Sequence, residues 1–404
     1  MEAVMESTSL NGSHLIPLIV LGSITSTLSL LGSLGIVFIA RKELAHSFMN
    51  RLLFSLSLAD ALASISLLLS PYMVPSYMNV PGASGNHASC TAIGFVFMTG
   101  LIATSCYNGF LGVFYYLTVV RNWRERDFTR HIEMVMHSVA VLIPISINIA
   151  AAATESINPT PFYSNICIYA PIPWGCEDNN EVECVRSSPL AAMSLIRTVI
   201  PFQGFFAILG FVCTILVWWS VRQTIRRSSS YHFTGAESND SNARRLEQVR
   251  IQATLYCLVY WNTFIWPFIG LVLASLHNTR ESLAMQTQPG PYALQVLTWI
   301  FLPLQGALNF FVYTRTKAQE WRKAAPQQSW IWIYRQVLSS TELPRKASTT
   351  RSFVLQSNNP TTTKNTTAAE QNLNNPPSKA DDEILGYPSV DDCDEFACEN
   401  HEAE

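Results

Sequence analysis

A single carboxylate, Asp60, stands deep in the apolar stretch FSLSLADALAS. An ionisable group in such surroundings is costly and by default marks function, although a structural hydrogen bond to neighbouring helices is the plainer use. Far downstream, in LQGALNFFVYTRTKAQEWR, Asn309 and Tyr313 stand four residues apart and share one helix face. Asp60, Asn309 and Tyr313 together can form a polar network that exchanges hydrogen bonds. Tyr313 alone would also suit an aromatic belt at a membrane interface. In YWNTFIWPFIG, Pro267 follows Trp266. A mid-helix proline removes a hydrogen bond and kinks the helix, so the pair is a candidate hinge. Covalent chemistry finds little support. The histidines lie at positions 14, 46, 87, 131, 137, 232, 277 and 401, and none sits mid-span with an acid at metal-ligand spacing. There is no Gly-x-x-x-x-Gly-Lys-Ser/Thr phosphate loop and no nucleophile–base pair. No metal, cofactor, nucleic-acid partner or enzymatic activity is expected.

The elements that must position these groups are long and apolar. Of 404 residues, 49% are hydrophobic and only 14% charged, against about 25% charged in soluble domains. Seven apolar runs, at 15–40, 50–75, 90–120, 132–154, 189–221, 248–276 and 291–314, are long enough to cross a bilayer as helices. The predicted fold is all-α, a seven-transmembrane helix bundle over 15–315. An amphipathic juxtamembrane helix is expected at 316–338, where Arg315, Lys317, Arg322 and Lys323 surround Trp321 at headgroup depth. Residues 339–404, rich in Ser, Thr, Asn and Pro and acidic at the end, are expected to form a disordered tail.

Lysine and arginine set the orientation. The first, third and fifth gaps carry Arg41, Lys42, Arg51, then Arg121, Arg124, Arg126, Arg130, then Arg222, Arg226, Arg227, Arg244, Arg245, Arg250. The second, fourth and sixth gaps carry only Arg186 and Arg280. The basic gaps are expected on the cytoplasmic side of the plasma membrane, with residues 1–14 outside. Asn11 in Asn11-Gly12-Ser13 is then an outer glycosylation candidate. Cys90, Cys167, Cys176 and Cys184 also fall outside, where oxidising conditions allow two disulfides in three possible connectivities. The short polar turn of CEDNNEVEC makes Cys176–Cys184 a candidate local staple; Cys90–Cys167 would then tie span three to the loop. Depth and polarity alone offer Tyr107, Asn108, Arg197, Tyr260, Asn262 and Gln295 as contacts for a ligand entering from outside, with snorkelling to the surface the simpler role for Arg197.

Seven spans, a cysteine at the top of span three and a cysteine-bearing second outer loop resemble a G-protein-coupled receptor. LSLADAL resembles the Leu-Ala-x-x-Asp signature of the rhodopsin-like class, which would put Asp60 at the sodium- and water-binding aspartate. NFFVY resembles the Asn-Pro-x-x-Tyr motif, with Phe310 in place of proline. PLQGALNFFVYTR more specifically resembles the end of span seven in cyclic-AMP-receptor-like and fungal glucose-sensing receptors. CIY at Cys167 resembles the Cys-Trp-Ile of that family's second outer loop, which favours Cys90–Cys167. Span three ends FYYLTVVRNWRER without Asp-Arg-Tyr, span four has no tryptophan, and span six has Trp directly before Pro. The spans hold no lysine, which excludes a retinal Schiff base like that of an opsin. The resemblance implies an unidentified extracellular small ligand, a bilayer setting, and a heterotrimeric G protein docked near Arg121, Arg226, Arg227, Arg244 and Arg245. A seven-span channel or transporter is the alternative, against which the sparse intramembrane charge weighs.

Overall fold

The computed structural model describes residues 12–44, 47–78, 80–123, 127–128, 130–160, 166–173, 176, 183–230, 236–276 and 288–339. Asn11 and the tail from 340 lie outside these residues.

The helices follow the apolar runs. They are α1 (Gly12–Ala40), α2 (Phe48–Met73), α3 (His87–Val120), α4 (Arg130–Ala153), α5 (Pro189–Ser230), α6 (Ala236–Leu276), α7 (Pro289–Phe301), α8 (Gln305–Ala324) and α9 (Trp330–Ser339). Starts are set by local chemistry. Ser47 caps α2 by accepting from the Asn50 amide, and Asn86 and Ser89 cap α3 reciprocally at 2.9 and 2.8 Å. Among the described residues, the helices α1 to α5 are each long and apolar enough to cross a membrane, and α7 with α8 counts as one further, bent span. α6 completes the seven; its first turns are charged and its apolar part begins only near residue 251.

Burial is inverted relative to a soluble bundle. Leu31, Leu142, Phe205 and Trp219 are exposed on outward faces, whereas Ser29, Ser57, Asp60, Ser64, Thr104 and Asn309 are buried. This is the arrangement that hydrocarbon outside and hydrogen-bonding partners inside demand. Apolar packing divides along the bundle. One cluster joins Phe48, Leu52, Phe114, Tyr115, Tyr256 and Tyr313 toward the ends bearing the basic gaps. The other joins Leu18, Val74, Ile102, Ile157 and Trp299 at the opposite end. α3 runs centrally and touches α2, α4, α5 and α6.

Between α4 and α5 an antiparallel hairpin, β1 (Ile157–Thr160) and β2 (Ile166–Tyr169), pairs Pro159 with Cys167. The disulfides are Cys90–Cys167 and Cys176–Cys184. The first fastens the hairpin to α3 beside Gly94, where a Cβ would collide with Ile157 and the Cys167 backbone. Asn158 donates to the carbonyls of Glu155 and Ala170, and Arg186 donates to Asn158 Oδ1 at 3.1 Å. Tyr169 Oη donates to Asn148 Oδ1 at 2.8 Å, joining hairpin to α4. Burial holds this phenol above the ordinary tyrosine range.

The seventh span differs from the unbroken run expected at 291–314. It bends by 46° between α7 and α8. Pro303 has no N–H to give the carbonyl of Trp299, and Thr25 Oγ1 of α1 donates to that carbonyl instead, at 2.9 Å. The Gly306 N–H, displaced from its own ladder, donates to Ser29 Oγ at 2.9 Å. α8 runs on from the seventh span through Ala324, and α9 follows as a second helix after Pro326, where QSWIWIYRQVL was expected to continue as a second surface segment. Ile333 and Val337 of α9 pack on Ala318 and Trp321 of α8.

Candidate functional site

Asp60 sits on α2 with 4% of its surface exposed. Its two oxygens are held by different helices. Thr104 of α3 donates to Oδ1 at 2.8 Å, and Asn309 of α8 donates from Nδ2 to Oδ2 at 2.9 Å. One carboxylate thus joins three spans. Beside it lies a cavity of about 20 Å³, lined in part by Ser29, Ser64, Thr104, Pro303 and Gln305. That is room for one water, given a need of about 10–15 Å³. Ser64 donates to Ser29 Oγ at 2.9 Å, so the cavity also adjoins the hydroxyl that holds the Gly306 amide. A carboxylate, hydroxyls and an amide oxygen are hard oxygen ligands of the kind a water or a small monovalent cation takes. Among the described residues no group of three or more His, Cys, Asp or Glu side chains could hold a metal ion.

Asn309 was legible as the partner of Asp60; Tyr313 stands apart. It is buried one turn further along α8, outside the cavity, in the aromatic cluster with Tyr115 and Tyr256. The Lys317 ammonium lies 5.3 Å from its ring. Trp266 stacks on Phe301 of α7 at 5.9 Å between centroids. One turn before Pro267, Thr263 donates to the Tyr260 carbonyl at 2.7 Å and approaches Gln305 Oε1 at 3.5 Å. Thr263, one turn before the proline of α6, therefore reaches the start of α8 just past the break in span seven.

The ligand candidates do not converge. Tyr107 turns away from any outer vestibule toward α4, its hydroxyl 3.0 Å from His137 Nδ1. Asn108 and Tyr260 share the wall of a second cavity of about 20 Å³ between α3, α5 and α6. Asn108 Nδ2 also donates to the Thr104 carbonyl at 2.9 Å, which links that wall to the Asp60 network. Arg197 is exposed on α5, Asn262 is half-buried on α6, and Gln295 is buried on α7. At the basic end, Arg121 closes α3 and is exposed, as is Arg226 on α5. Arg227, Arg244 and Arg245 fall on α5 and α6, but their side chains lie outside the described residues.

Sequence reading missed one cluster altogether. Arg51 of α2 forms a two-pronged ion pair with Glu133 of α4, at 2.5 and 2.9 Å. Glu133 lies 3.8 Å from His137 at i,i+4, and His137 meets Tyr107. The signal was present as an acid and a histidine four residues apart at the start of span four.

No family model matches the sequence, and no curated protein is matched by it. Among solved structures, the crystal structure of squid rhodopsin is similar, with a TM-score of 0.56 over 84% of this chain and 94% of that chain, at 13% sequence identity. Likeness at that identity speaks for the fold. The apolar spans, the buried polar interior and this likeness together make the chain a multi-pass membrane protein with the seven-helix fold seen in squid rhodopsin.

Proposed function

We propose that the chain is a plasma-membrane receptor that carries an extracellular small-ligand signal to a heterotrimeric G protein. Its N-terminus faces out and its tail lies in the cytoplasm. The observation that carries this reading is the buried Asp60 carboxylate joining α2, α3 and α8 beside a break in the seventh span. Polar groups in a dry bundle have few partners. A shift of α8 that parts Asn309 from Asp60 must be matched by another bond or a water, which gives two discrete states rather than a continuum. A ligand that binds one state better moves the population toward it. The likeness of LQGALNFFVY to cyclic-AMP-receptor-like and fungal glucose-sensing receptors supports small polar metabolites as the first ligands to try. The basic face of Arg121, Arg226, Arg227, Arg244 and Arg245 is where the partner's nucleotide-exchange machinery would dock. Asp60, Asn309, Tyr313, Trp266 and Pro267 would move between the two faces.

The test is GTP-analogue uptake by a panel of Gα subunits in membranes bearing the chain, with an Asp60→Asn control and a screen of cyclic nucleotides and sugars. Exchange above empty membranes that Asp60→Asn alters supports a receptor. Ligand-dependent flux or conductance without exchange on any Gα would replace it with a transport function.

A further inference from the structure

We propose a specific site for an anionic phospholipid of the inner leaflet, in the groove between the end of α1 and the free face of α9. It rests on the membrane orientation given above and not on G-protein coupling. α9 is apolar on two sides. Ile333 and Val337 are buried against α8, which satisfies one face. On the other, Ile331 is 84% exposed, Trp330 51% and Leu338 42%, although α9 is a ten-residue helix with Arg335 as its one charge. These side chains and Tyr334 face Phe38 of α1 across an open groove of about 720 Å³. That is the size of ordinary ligand sites, roughly 300–1,000 Å³, and far larger than either interior cavity.

The rim decides what kind of molecule fits. The Arg41 guanidinium lies 4.4 Å and the Lys42 ammonium 5.1 Å from the Phe38 ring centroid. Arg335 lines the groove itself. Arg322 lies 5.2 Å from the Trp330 ring at the far end. Lys42 also donates to the Ser339 carbonyl at 3.4 Å, which ties α1 to the C-terminal end of α9 and closes one end of the groove. None of the groove-lining side chains is acidic. An apolar-floored trough with cations on its rim, at the depth where α1 leaves the membrane, matches an acyl chain lying along Phe38, Ile331 and Leu338. The headgroup phosphate would meet Arg41, Lys42 and Arg335. A neutral lipid would cover the apolar floor but leave the cations to water. A soluble phosphate would meet the cations but leave the floor bare. The outward faces elsewhere, such as that carrying Leu142 or Phe205, are exposed in the same way; α9 is set apart by combining concavity with charge.

The experiment uses the full chain in phosphatidylcholine nanodiscs. A phosphatidylinositol phosphate with a diazirine in its acyl chain is the probe, and a phosphatidylcholine with the same chain is the comparison. The expected result is labelling at Phe38 and along α9 by the anionic probe, displaced by unlabelled phosphatidylinositol phosphate and not by free inositol phosphate. Each cation near the surface contributes about a fivefold preference. The pair Arg41→Gln and Lys42→Gln should therefore weaken displacement about thirtyfold in the same assay. Leu338→Trp, which fills the floor without changing charge, should weaken it tenfold or more; should that variant fail to fold, the arginine–lysine pair decides. Arg222→Gln, an exposed cation on α5 outside the groove, should leave labelling and displacement as they are. Equal labelling by the neutral probe, equal loss with Arg222→Gln, displacement by free inositol phosphate, or cross-links joining two copies through α9 would each overturn the site.

Discussion

Replacing Asn309 by alanine removes the donor to Asp60 Oδ2 and leaves the Thr104 bond to Oδ1 intact. The size of the effect can be bounded from two sides. A buried acceptor stripped of its partner costs about 1–3 kcal/mol. Hydrogen bonds between membrane helices average only about 0.6 kcal/mol and reach about 1.7, because the partner groups find substitutes. Here the substitute is visible: the cavity of about 20 Å³ beside the carboxylate can admit a water that donates in place of the amide. The lower range should therefore win, near 1 kcal/mol, or about a fivefold change in an equilibrium. A double-mutant cycle measures it. Asp60→Ala, Asn309→Ala and the double variant are purified, and their unfolding is followed thermally and by denaturant. A coupling of about 0.6–1.7 kcal/mol is expected. On the proposed function, the same pair should shift ligand-free nucleotide exchange by a similar factor while surface expression persists. If Asn309→Ala costs the same with and without the Asp60 carboxylate, within about 0.3 kcal/mol, the bond contributes nothing and the switch built on it falls.

Two further expectations concern the scaffold. A Cβ on Gly112 would stand 2.8 Å from the Gly210 Cα, so Gly112→Val should force α3 and α5 apart and lower stability by about 1–3 kcal/mol, read as a loss of thermal midpoint; an unchanged midpoint would show that the helices do not pack there. The disulfides should differ in weight. Cys90–Cys167 spans 77 residues and Cys176–Cys184 only 8, for which loop-closure entropy gives about 4.5 and 2.5 kcal/mol respectively. Cys167→Ser should therefore reduce folded, surface-delivered protein more than Cys184→Ser does, and the reverse order would rule out an entropic account.

Much of the bundle was legible because a bilayer makes a crude demand: about twenty apolar residues per helix. Asp60 was legible for the same reason, as a lone acid where acids are costly, and Asn309 because it broke a greasy run. Thr104 was not. Serines and threonines are common in these spans, and many bond back to a carbonyl one turn earlier, as Ser66 does to Leu62, so nothing in the sequence marks the one that turns to a carboxylate. Tyr107 and Asn108 show the other limit. Depth in the membrane placed both in an outer vestibule, but adjacent helical residues point about 100° apart. Tyr107 meets His137 on α4 while Asn108 faces α5 and α6. Azimuth comes from how helices pack, which no single span encodes. The Glu133–Arg51 pair was hidden for a related reason: its two halves are 82 residues apart.

The break in span seven ties these observations together and can be tested at one amide. Pro267 was the expected hinge; span seven carries a 46° break of its own at Pro303, where α1 supplies hydrogen bonds that the helix has lost. Ser29 is the link: its oxygen accepts from Gly306 N and from Ser64 Oγ, and it lines the cavity beside Asp60. Ser29→Ala removes the acceptor for Gly306 without adding bulk. If α8 is held against α1 by that bond, the Gly306 amide should exchange with solvent deuterium about fivefold faster, the signature of about 1 kcal/mol lost from a local opening. Thr25→Val, acting on the Trp299 carbonyl on the other side of Pro303, should add to it. Gly306 has no alternative acceptor within its own ladder once Pro303 has bent the helix, so a protected amide in Ser29→Ala would mean that the break is held by packing alone. Gly32 against Ala307 and Gly306 against Ser33 would be the contacts responsible, and the hydroxyls of α1 would then have no part in setting the angle at which Asn309 meets Asp60.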